Sequence, residues 1–302
     1  MINLRLLLSL TVFLLPIAQA PAQSLPERTI EEIREESIAR SERGGYPLIG
    51  LAPDDVREAF SRIKTRDPDE WASGWMSIGD KYAARAKDLA ATDSPQARAN
   101  WHKAWRLYAF GSWPVPSSEG KRRAYQTALN AFLSAAQTLD PPLEIVRIPF
   151  EGKEIIGYLR IPKAAGAPVP LVFAISGLDS RKENLIDQFA PILAQGIAVF
   201  ALDSPGTGQS PVKAGPAANR EFSKALDYLA SRKEIDSSRI VLHGVSFGGY
   251  WACAGGIARR GEHRGALPPR RHRRRPLLQF VEGVPRSRQE APGGRYGTGR
   301  HQ

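Results

Sequence analysis

The chain has 302 residues, with 42 Lys and Arg against 31 Asp and Glu, so its formal net charge is +11. The single cysteine, Cys253, excludes an intramolecular disulfide and is expected to be packed as a small apolar residue rather than to act as a nucleophile. Five scattered histidines give no spacing typical of a metal site, so neither a metal nor another cofactor is expected. The basic excess is local, because residues 254–302 contain 12 Arg, no Lys and three acidic residues and so carry +9 of the total. The rest of the chain is nearly neutral, which argues against specific binding of nucleic acid.

The N-terminus has the features of a secretory signal peptide. One basic residue precedes an apolar stretch from Leu6 to Ile17, and A-Q-A ending at Ala20 is a typical cleavage site. The stretch is too short to anchor stably in a bilayer. We therefore expect residues 1–20 to be removed and the protein to be secreted or periplasmic, without a membrane span. An uncleaved membrane anchor is the alternative.

Residues 24–140 are predicted to form a helical region. Apolar residues recur there at three- and four-residue spacing, as in amphipathic helices. The expected helices are Glu27–Glu42, Asp54–Ile63, Glu70–Leu89, Pro95–Phe110 and Ser118–Leu139. A tetratricopeptide-like array is an alternative, although no clean repeat period is present. His102, near two tryptophans on a helical face, is expected to pack or cap rather than to bind a ligand.

From residue 141 to residue 253, strands alternate with helices. Two alternating strands across Gly152 predict an antiparallel hairpin, and later continuous apolar runs are typical of buried parallel strands. The expected elements are strands at Glu144–Phe150, Glu154–Ile161, Leu171–Ser176, Ile197–Leu202 and from Ile240, with helices at Leu185–Gln195 and Ala217–Ser231. This order predicts an α/β fold with a mostly parallel sheet and helices on both faces. Asp203, at a strand end before Pro-Gly, is expected to cap the turn.

The strand from Ile240 leads into G-V-S-F-G, followed by residues suited to a helix start. In this strand–turn–helix context the pattern is typical of a nucleophile elbow, which holds a serine in a strained conformation at the top of a sheet. Side chains at Gly244 and Gly248 would collide with the neighbouring strand and helix. We predict that Ser246 attacks a carbonyl; a Gly-rich turn without a chemical role is the alternative.

The stretch from about Trp101 to Trp251 resembles the group of α/β-hydrolases that includes the FrsA-like esterases and 2,6-dihydropseudooxynicotine hydrolase. The resemblance rests on the hairpin and, in chain order, on W-R-L-Y-A-F-G-S-W-P, I-S-G-L-D-S-R-K-E-N, L-D-S-P-G-T-G-Q-S and H-G-V-S-F-G-G-Y-W-A. It implies an α/β-hydrolase fold with an N-terminal helical cap over the active site. It also implies a Ser–Asp–His triad that hydrolyses ester, amide or carbon–carbon bonds beside a carbonyl.

By this resemblance Ser246 is the nucleophile, and the backbone N–H groups of Leu178 and Phe247 form the oxyanion hole. Leu178 lies in the loop after the strand at Leu171–Ser176, where the fold places one such donor, and Phe247 directly follows the serine. Two such donors stabilise the negative charge that develops on the substrate oxygen during acyl transfer. An ordinary strand-to-loop glycine at Gly177 is the alternative reading of the loop.

The rest of the triad is missing from the expected places. In this fold the order along the chain is Ser, acid, His, but only 56 residues follow Ser246, and the last aspartate, Asp236, precedes it. The downstream acids and histidines, none at the end of a plausible strand, are Glu262, Glu282, Glu290, His263, His272 and His301. We therefore expect the triad acid and histidine to be absent and this chain to show little or no turnover.

The abrupt change of composition after the elbow has its own interpretation. A segment rich in Arg, Gly and Pro cannot bury enough apolar surface to offset its ordering entropy, so residues 254–302 are expected to be a disordered tail. Such a switch directly after an intact motif is what a frameshift in a GC-rich gene would produce. We hypothesise that the native frame ends between Ala252 and Arg260, with a genuine basic tail as the alternative.

Taken together, the residues predict a serine hydrolase of the esterase type acting on a small-molecule ester or amide. One alternative is a peptidase of the prolyl-oligopeptidase type, which shares the elbow but needs a β domain upstream. Another is a non-catalytic binding protein on a degenerate hydrolase scaffold, or a polyanion binder acting through its basic tail. Nothing in the sequence indicates an oligomeric state.

Overall fold

The computed structural model describes residues 27–163 and 167–254. The expected signal peptide at residues 1–20 and the tail from residue 255 onward lie outside the described residues. The helices are α1 (Ile30–Glu42), α2 (Pro53–Arg62), α3 (Pro68–Leu89), α4 (Ser94–Gly111), α5 (Glu119–Ala136), α6 (Lys182–Gln188) and α7 (Arg220–Ser231). The strands are β1 (Glu144–Phe150), β2 (Lys153–Arg160), β3 (Val169–Ile175), β4 (Ala198–Leu202) and β5 (Ile235–Gly244).

Helices α1, α3, α4 and α5 begin at capping residues that the sequence supplies, whereas α2 begins at Pro53 without a side-chain cap. The Asp67 side chain accepts hydrogen bonds from the first amides of α3, and Asp93 and Ser118 do the same for α4 and α5. The apolar faces of α2, α3 and α4 meet in an aromatic cluster. In it the Trp75 ring packs edge-on against Phe60 and Phe110, with centroids 5.6 and 4.6 Å away.

The five strands form one sheet in the order β1-β2-β4-β3-β5. The β1–β2 hairpin lies at one edge and pairs antiparallel with β4, whereas β4, β3 and β5 run parallel. The described sheet is therefore mixed, with its parallel part in the last three strands. Parallel strands end at the same edge of a sheet, so the loops after β3, β4 and β5 meet there.

Both faces of the sheet are covered by helices. On one face, Phe173 and Phe200 pack with Phe222 of α7 and with Trp251 of the helix at residues 247–254, here called the elbow helix. On the other face, the sheet packs against α4, α5 and α6, and Phe132 stacks on Tyr158 of β2 at 5.5 Å. This arrangement confirms the predicted α/β-hydrolase fold with an attached helical region.

Three local predictions were wrong. The single helix expected at Leu185–Gln195 is α6 followed by a 3₁₀ helix, Ala190–Gln195, because Pro191 lacks an amide hydrogen and disfavours helical backbone before it. Strand β5 begins at Ile235, five residues earlier than expected, where Val169 of β3 pairs with it across an irregularity. Cys253, expected to be packed, is exposed.

Candidate active site

The turn between β5 and the elbow helix holds Ser246 at φ +57°, a left-handed conformation that costs energy for any residue with a side chain. A Cβ on Gly244 would lie 2.1 Å from the carbonyl oxygen of Gly248, and one on Gly248 would lie 2.3 Å from the carbonyl oxygen of Ile175. The steric prediction for the two glycines is therefore confirmed. The nucleophilic role of Ser246 stays a prediction.

Ser246 lines a cavity of about 650 Å³ between the end of β5 and the helical region. Gly177, in the loop after β3 that carries Leu178, lines the same cavity. The opposite wall comes from α4, α5 and the segment before α2, and it is mostly apolar and aromatic. Its aromatic members are Tyr46, Trp105, Phe110, Trp113 and Tyr125. The serine and the loop predicted to hold an oxyanion donor thus face one largely apolar cavity.

The loop after β3 is held to the loop after β4 by hydrogen bonds. The Ser176 amide donates to the carbonyl of Leu202 at 3.0 Å, and the Ser204 amide donates to Ser176 Oγ at 3.0 Å. Within the loop, the Gly177 amide donates to Ser180 Oγ at 2.8 Å. The Leu178 side chain is 55% exposed and points away from the core. These bonds fix the backbone on either side of the predicted donor.

A buried ion pair ties α6 to the turn after β4. Lys182 Nζ lies 2.9 Å from Asp203 Oδ2, and the Lys182 amide donates to Asp203 Oδ1 at 2.9 Å. Both side chains are fully buried. Burial would raise the pKa of the Asp203 carboxyl, but the Lys182 ammonium holds it below its usual value. Asp203 also accepts from the Gln209 amide at 2.9 Å, which confirms the predicted turn cap; the sequence did not indicate Lys182 as its partner.

Glu183 adjoins this pair and lines the cavity of Ser246. Its Oε1 lies 3.1 Å from Lys182 Nζ. Burial raises the pKa of Glu183, and the negative charge of Asp203 raises it further, although the Lys182 ammonium opposes both effects. The Lys182 ammonium therefore lies beside two buried carboxyl groups, and that of Asp203 is the one that stays ionised.

The two histidines among the described residues do not line the cavity of Ser246. His102 Nε2 lies 2.8 Å from Asp187 Oδ1, and its ring packs edge-on against Trp105 at 5.0 Å. His243, on β5, is buried with its ring 4.9 Å from that of Phe189, and burial lowers its pKa. Neither imidazole is placed to take a proton from Ser246.

The six downstream candidates for the missing triad members, Glu262, Glu282, Glu290, His263, His272 and His301, lie outside the described residues. Over residues 27–163 and 167–254, no group of three or more His, Cys, Asp or Glu side chains could hold a metal ion. No helix in those same ranges is long and apolar enough to cross a membrane.

Sequence reasoning missed Tyr125 as a site residue. This tyrosine lies on α5 and lines the cavity, and its hydroxyl is buried without a hydrogen-bond partner among the described residues. Burial raises the pKa of Tyr125 far above its usual value, so the hydroxyl keeps its proton. The only signal in the sequence was its place on the apolar face of a helix, which does not distinguish a core tyrosine from one that faces a cavity.

The fold and the elbow define an α/β-hydrolase with a helical region beside the edge of the sheet where β3, β4 and β5 end. Residues 61–257 match the family described as Esterase FrsA-like, and the chain belongs to this family. It is 29% identical over 224 residues to Hydrolase LUC6 from a Fusarium species, covering 68% of this chain and 54% of that protein. It is 28% identical over 225 residues to 20-hydroxy-prefusarin hydrolase FUS2 of Gibberella moniliformis, with the same coverage. The chain thus spans about half the length of the curated relatives it matches.

Two solved structures share the fold. The 2,6-dihydroxy-pseudo-oxynicotine hydrolase superimposes with a TM-score of 0.60 at 24% identity, covering 69% of this chain and 59% of that one. AbyA5 superimposes with a TM-score of 0.57 at 20% identity, covering 76% and 60%. At these identities the likeness concerns the fold alone.

Proposed function

We propose that this chain carries the nucleophile half of a carboxylic ester hydrolase, with Ser246 as the acylated residue. The observation that carries the proposal is the left-handed backbone at Ser246, enclosed by two glycines without room for a Cβ and facing a cavity of about 650 Å³. A strained residue persists only where the surrounding structure over-determines it, and such residues cluster at functional sites.

In the proposed reaction, Ser246 Oγ attacks the ester carbonyl and the alcohol leaves, which gives an acyl-enzyme that water then hydrolyses. The carbonyl oxygen becomes negatively charged in each step, and the amides of Leu178 and Phe247 would stabilise it. Phe247 opens the elbow helix, and the first amides of a helix have no partner within it. Its N–H group is therefore available to an oxyanion.

The cavity favours a small-molecule ester with an aromatic or other apolar group, and an amide of the same shape is the alternative substrate. Five aromatic side chains line it, and the Tyr125 hydroxyl has no partner among the described residues. An apolar pocket with a few converging polar groups is the usual form of a small-molecule site. We propose that Tyr125 donates a hydrogen bond to an oxygen of the substrate.

The proposed turnover of this chain is low. Attack by a serine hydroxyl needs a base that accepts its proton, and neither described histidine lines the cavity. Without that base the Ser246 hydroxyl is a weak nucleophile. We therefore expect a reagent that acylates or phosphonylates Ser246 to react slowly, and ester turnover to remain close to background.

The test is labelling of the purified chain with a fluorophosphonate probe, followed by mass spectrometry of the modified peptide. The expected result is a slow but stoichiometric adduct on Ser246 that is lost in Ser246→Ala. Ser231→Ala is the matched control, because that hydroxyl lies on α7 and bonds to the carbonyl of Tyr228 at 2.7 Å. An adduct that survives Ser246→Ala would contradict the assignment.

A second measurement separates the nucleophile from turnover. With p-nitrophenyl acetate, the wild-type chain and Ser246→Ala are expected to hydrolyse the ester at similar, low rates. Rapid hydrolysis that vanishes in Ser246→Ala would show that a base is present and would overturn the proposed low activity.

We also propose that the protein is exported, on the strength of its N-terminal sequence. N-terminal sequencing of protein recovered from the periplasm of a bacterial host is expected to begin near Pro21. Full-length protein confined to the cytosol would contradict this proposal.

Two alternatives are less well supported. A prolyl-oligopeptidase-type enzyme needs a β domain before the hydrolase core, whereas residues 30–136 are helical. A polyanion binder acting through residues 254–302 predicts salt-dependent retention on heparin that deletion of those residues abolishes.

A further inference from the structure

We infer that a second cavity, on the far side of the Arg106–Asp187 ion pair from Ser246, is a binding site for an amphiphilic carboxylate such as a medium-chain fatty acid anion. This cavity has a volume of about 1030 Å³. Ser246 does not line it, and Arg106 and Asp187 line both cavities. Cavities that hold small ligands in proteins measure roughly 300–1,000 Å³, so the second cavity is large enough for such a ligand.

The lining of the second cavity is strongly basic. Its cationic and imidazole groups are Arg98, His102, Lys103, Arg106, Arg160 and Lys163. The carboxylates of Asp140 and Asp187 also line it, but they already pair with Lys163, and with His102 and Arg106. Within the described ranges, Arg98, Lys103 and Arg160 have no carboxylate in ion-pair contact. The wall thus carries a cationic excess that its own acids do not neutralise.

Arg160 is the strongest indication of an anion site. It lies at the end of β2 and is only 4% exposed. Its Nε and Nη2 donate to the carbonyl oxygen of Pro141 at 3.1 and 2.9 Å. Burial lowers the pKa of Arg160, and the nearby charge of Arg98 lowers it further, while Asp140 opposes both effects. A buried guanidinium whose protein partner is one neutral carbonyl gains stability from an anion bound beside it.

Arg98 supplies the second guanidinium from the exposed side. Its Nη1 donates to the carbonyl of Thr138 at 3.3 Å, which leaves other N–H groups of its fork without a protein acceptor among the described residues. Two guanidinium groups at one cavity match the planar, bidentate geometry of a carboxylate.

The lining of the second cavity also includes an apolar surface. Phe132 on α5, Ile186 on α6, and Leu139 and Leu193 line it together with several alanines. An inorganic anion would leave this surface in contact with water, whereas an alkyl chain would cover it. The combination of a guanidinium pair and an apolar wall therefore favours an anion with a long apolar body over phosphate or acetate. The inference does not depend on the chemistry at Ser246.

The test uses decanoate as the probe and isothermal titration calorimetry on the full chain. We expect saturable binding at one site, with much weaker binding of decanol, acetate and inorganic phosphate. Arg160→Gln and Arg98→Gln should each raise the Kd for decanoate about tenfold or more, because each removes a charge-assisted hydrogen bond. Arg122→Gln is the matched control, since Arg122 is exposed on α5 and does not line the cavity.

Arg160→Gln removes the hydrogen bonds to Pro141 and so can destabilise the fold; a third variant avoids this difficulty. Ala99 is exposed on α4 and lines the same cavity, so Ala99→Glu adds a competing carboxylate without disturbing the core. It should weaken decanoate binding while leaving the thermal unfolding temperature unchanged. No saturable binding up to about 1 mM, or a Kd that none of the three variants changes, would overturn the inference. Equal affinity for phosphate or decanol would overturn the assignment to an amphiphilic carboxylate.

Discussion

The elbow and the helical region both depend on glycine, but for different reasons. At the elbow, a Cβ on Gly248 would lie 2.3 Å from a backbone oxygen of β3. In α3, a Cβ on Gly79 would lie 2.6 Å from Cε1 of the Tyr108 ring, which is part of a side chain. A strand backbone is held by its neighbours on both sides, whereas a ring can shift. The comparison indicates that the edge of the sheet tolerates far less change than the helices packed on it.

The two regions also differ in what they bury. The core between α2, α3 and α4 is aromatic, built around Phe60 and Trp75. The start of α6 and the turn after β4 instead bury charged groups, chiefly Lys182 and Asp203. Apolar contacts are non-directional, but a buried ion pair is stable only in a narrow geometry. The close backbone contact at Gly248 and the buried ion pair therefore hold the segments around Ser246 more firmly than side-chain packing holds the helices on the other wall of its cavity.

The largest effect is expected for Gly248→Ala. The added methyl group would force the turn away from β3, so the free energy of unfolding should fall by about 3 kcal/mol or more, and labelling of Ser246 by a fluorophosphonate should be lost. Urea unfolding monitored by tryptophan fluorescence measures the free energy of unfolding. Gly249→Ala is the matched control on the same turn, because its nearest contact would be 3.2 Å, and it should cost much less. Equal losses of stability in Gly248→Ala and Gly249→Ala would contradict the steric explanation.

The next largest effect is expected for Asp203→Asn. The free energy of unfolding should fall by about 3 kcal/mol, because the buried Lys182 ammonium loses its main counter-charge. Lys182→Met combined with Asp203→Asn should cost less than the sum of the two single changes. Asp140→Asn breaks an exposed pair with Lys163 of similar length, 2.8 Å, and should cost less than about 1 kcal/mol. Additive effects at positions 182 and 203 would show that the pair is not coupled.

The sequence predicted the elements better than the contacts that join them. Strand and helix periodicity is local, so the hairpin, the buried strands and the helices were found within a few residues. The two glycines of the elbow were also predictable, because their constraint is local. The Lys182–Asp203 pair joins the start of α6 to the turn after β4 across 21 residues, and no periodic pattern marks such a pairing. The orientation of Tyr125 toward a cavity depends on how α5 packs on the sheet, which a single sequence does not reveal.

A buried carboxyl group on α7 also predicts a dependence of stability on pH. Burial raises the pKa of Glu221 to about 8, although a hydrogen bond from Ser210 at 2.7 Å opposes the shift. The unfolded chain loses this proton near the ordinary glutamate pKa of 4.5, but the folded chain keeps it until about pH 8. The contribution of Glu221 to stability is therefore greatest below about pH 4.5 and falls as pH rises toward about 8.

Glu221→Gln removes that titration while keeping the shape of the side chain. Between about pH 5 and pH 8 the stability of the wild type relative to the variant should fall by about 3 kcal/mol. Urea unfolding of both proteins across this range measures the difference. The exposed Glu119, paired with Arg123 on α5, provides the control, because Glu119→Gln should leave the pH dependence unchanged. Parallel curves for the wild type and Glu221→Gln would mean that Glu221 is already ionised in the folded protein.

Gly79→Ala should have the smallest effect and so sharpens the contrast between the two regions. Alanine favours the helix over glycine by about 1 kcal/mol, which offsets part of the cost of displacing the Tyr108 ring. We expect a net loss of about 1 kcal/mol or less in the free energy of unfolding. In a Tyr108→Ala background the ring is gone, so the same substitution should become stabilising by about 1 kcal/mol. If Gly79→Ala lost as much stability as Gly248→Ala, displacing the Tyr108 ring would cost as much as displacing a strand backbone. The helical region would then be as rigid as the elbow.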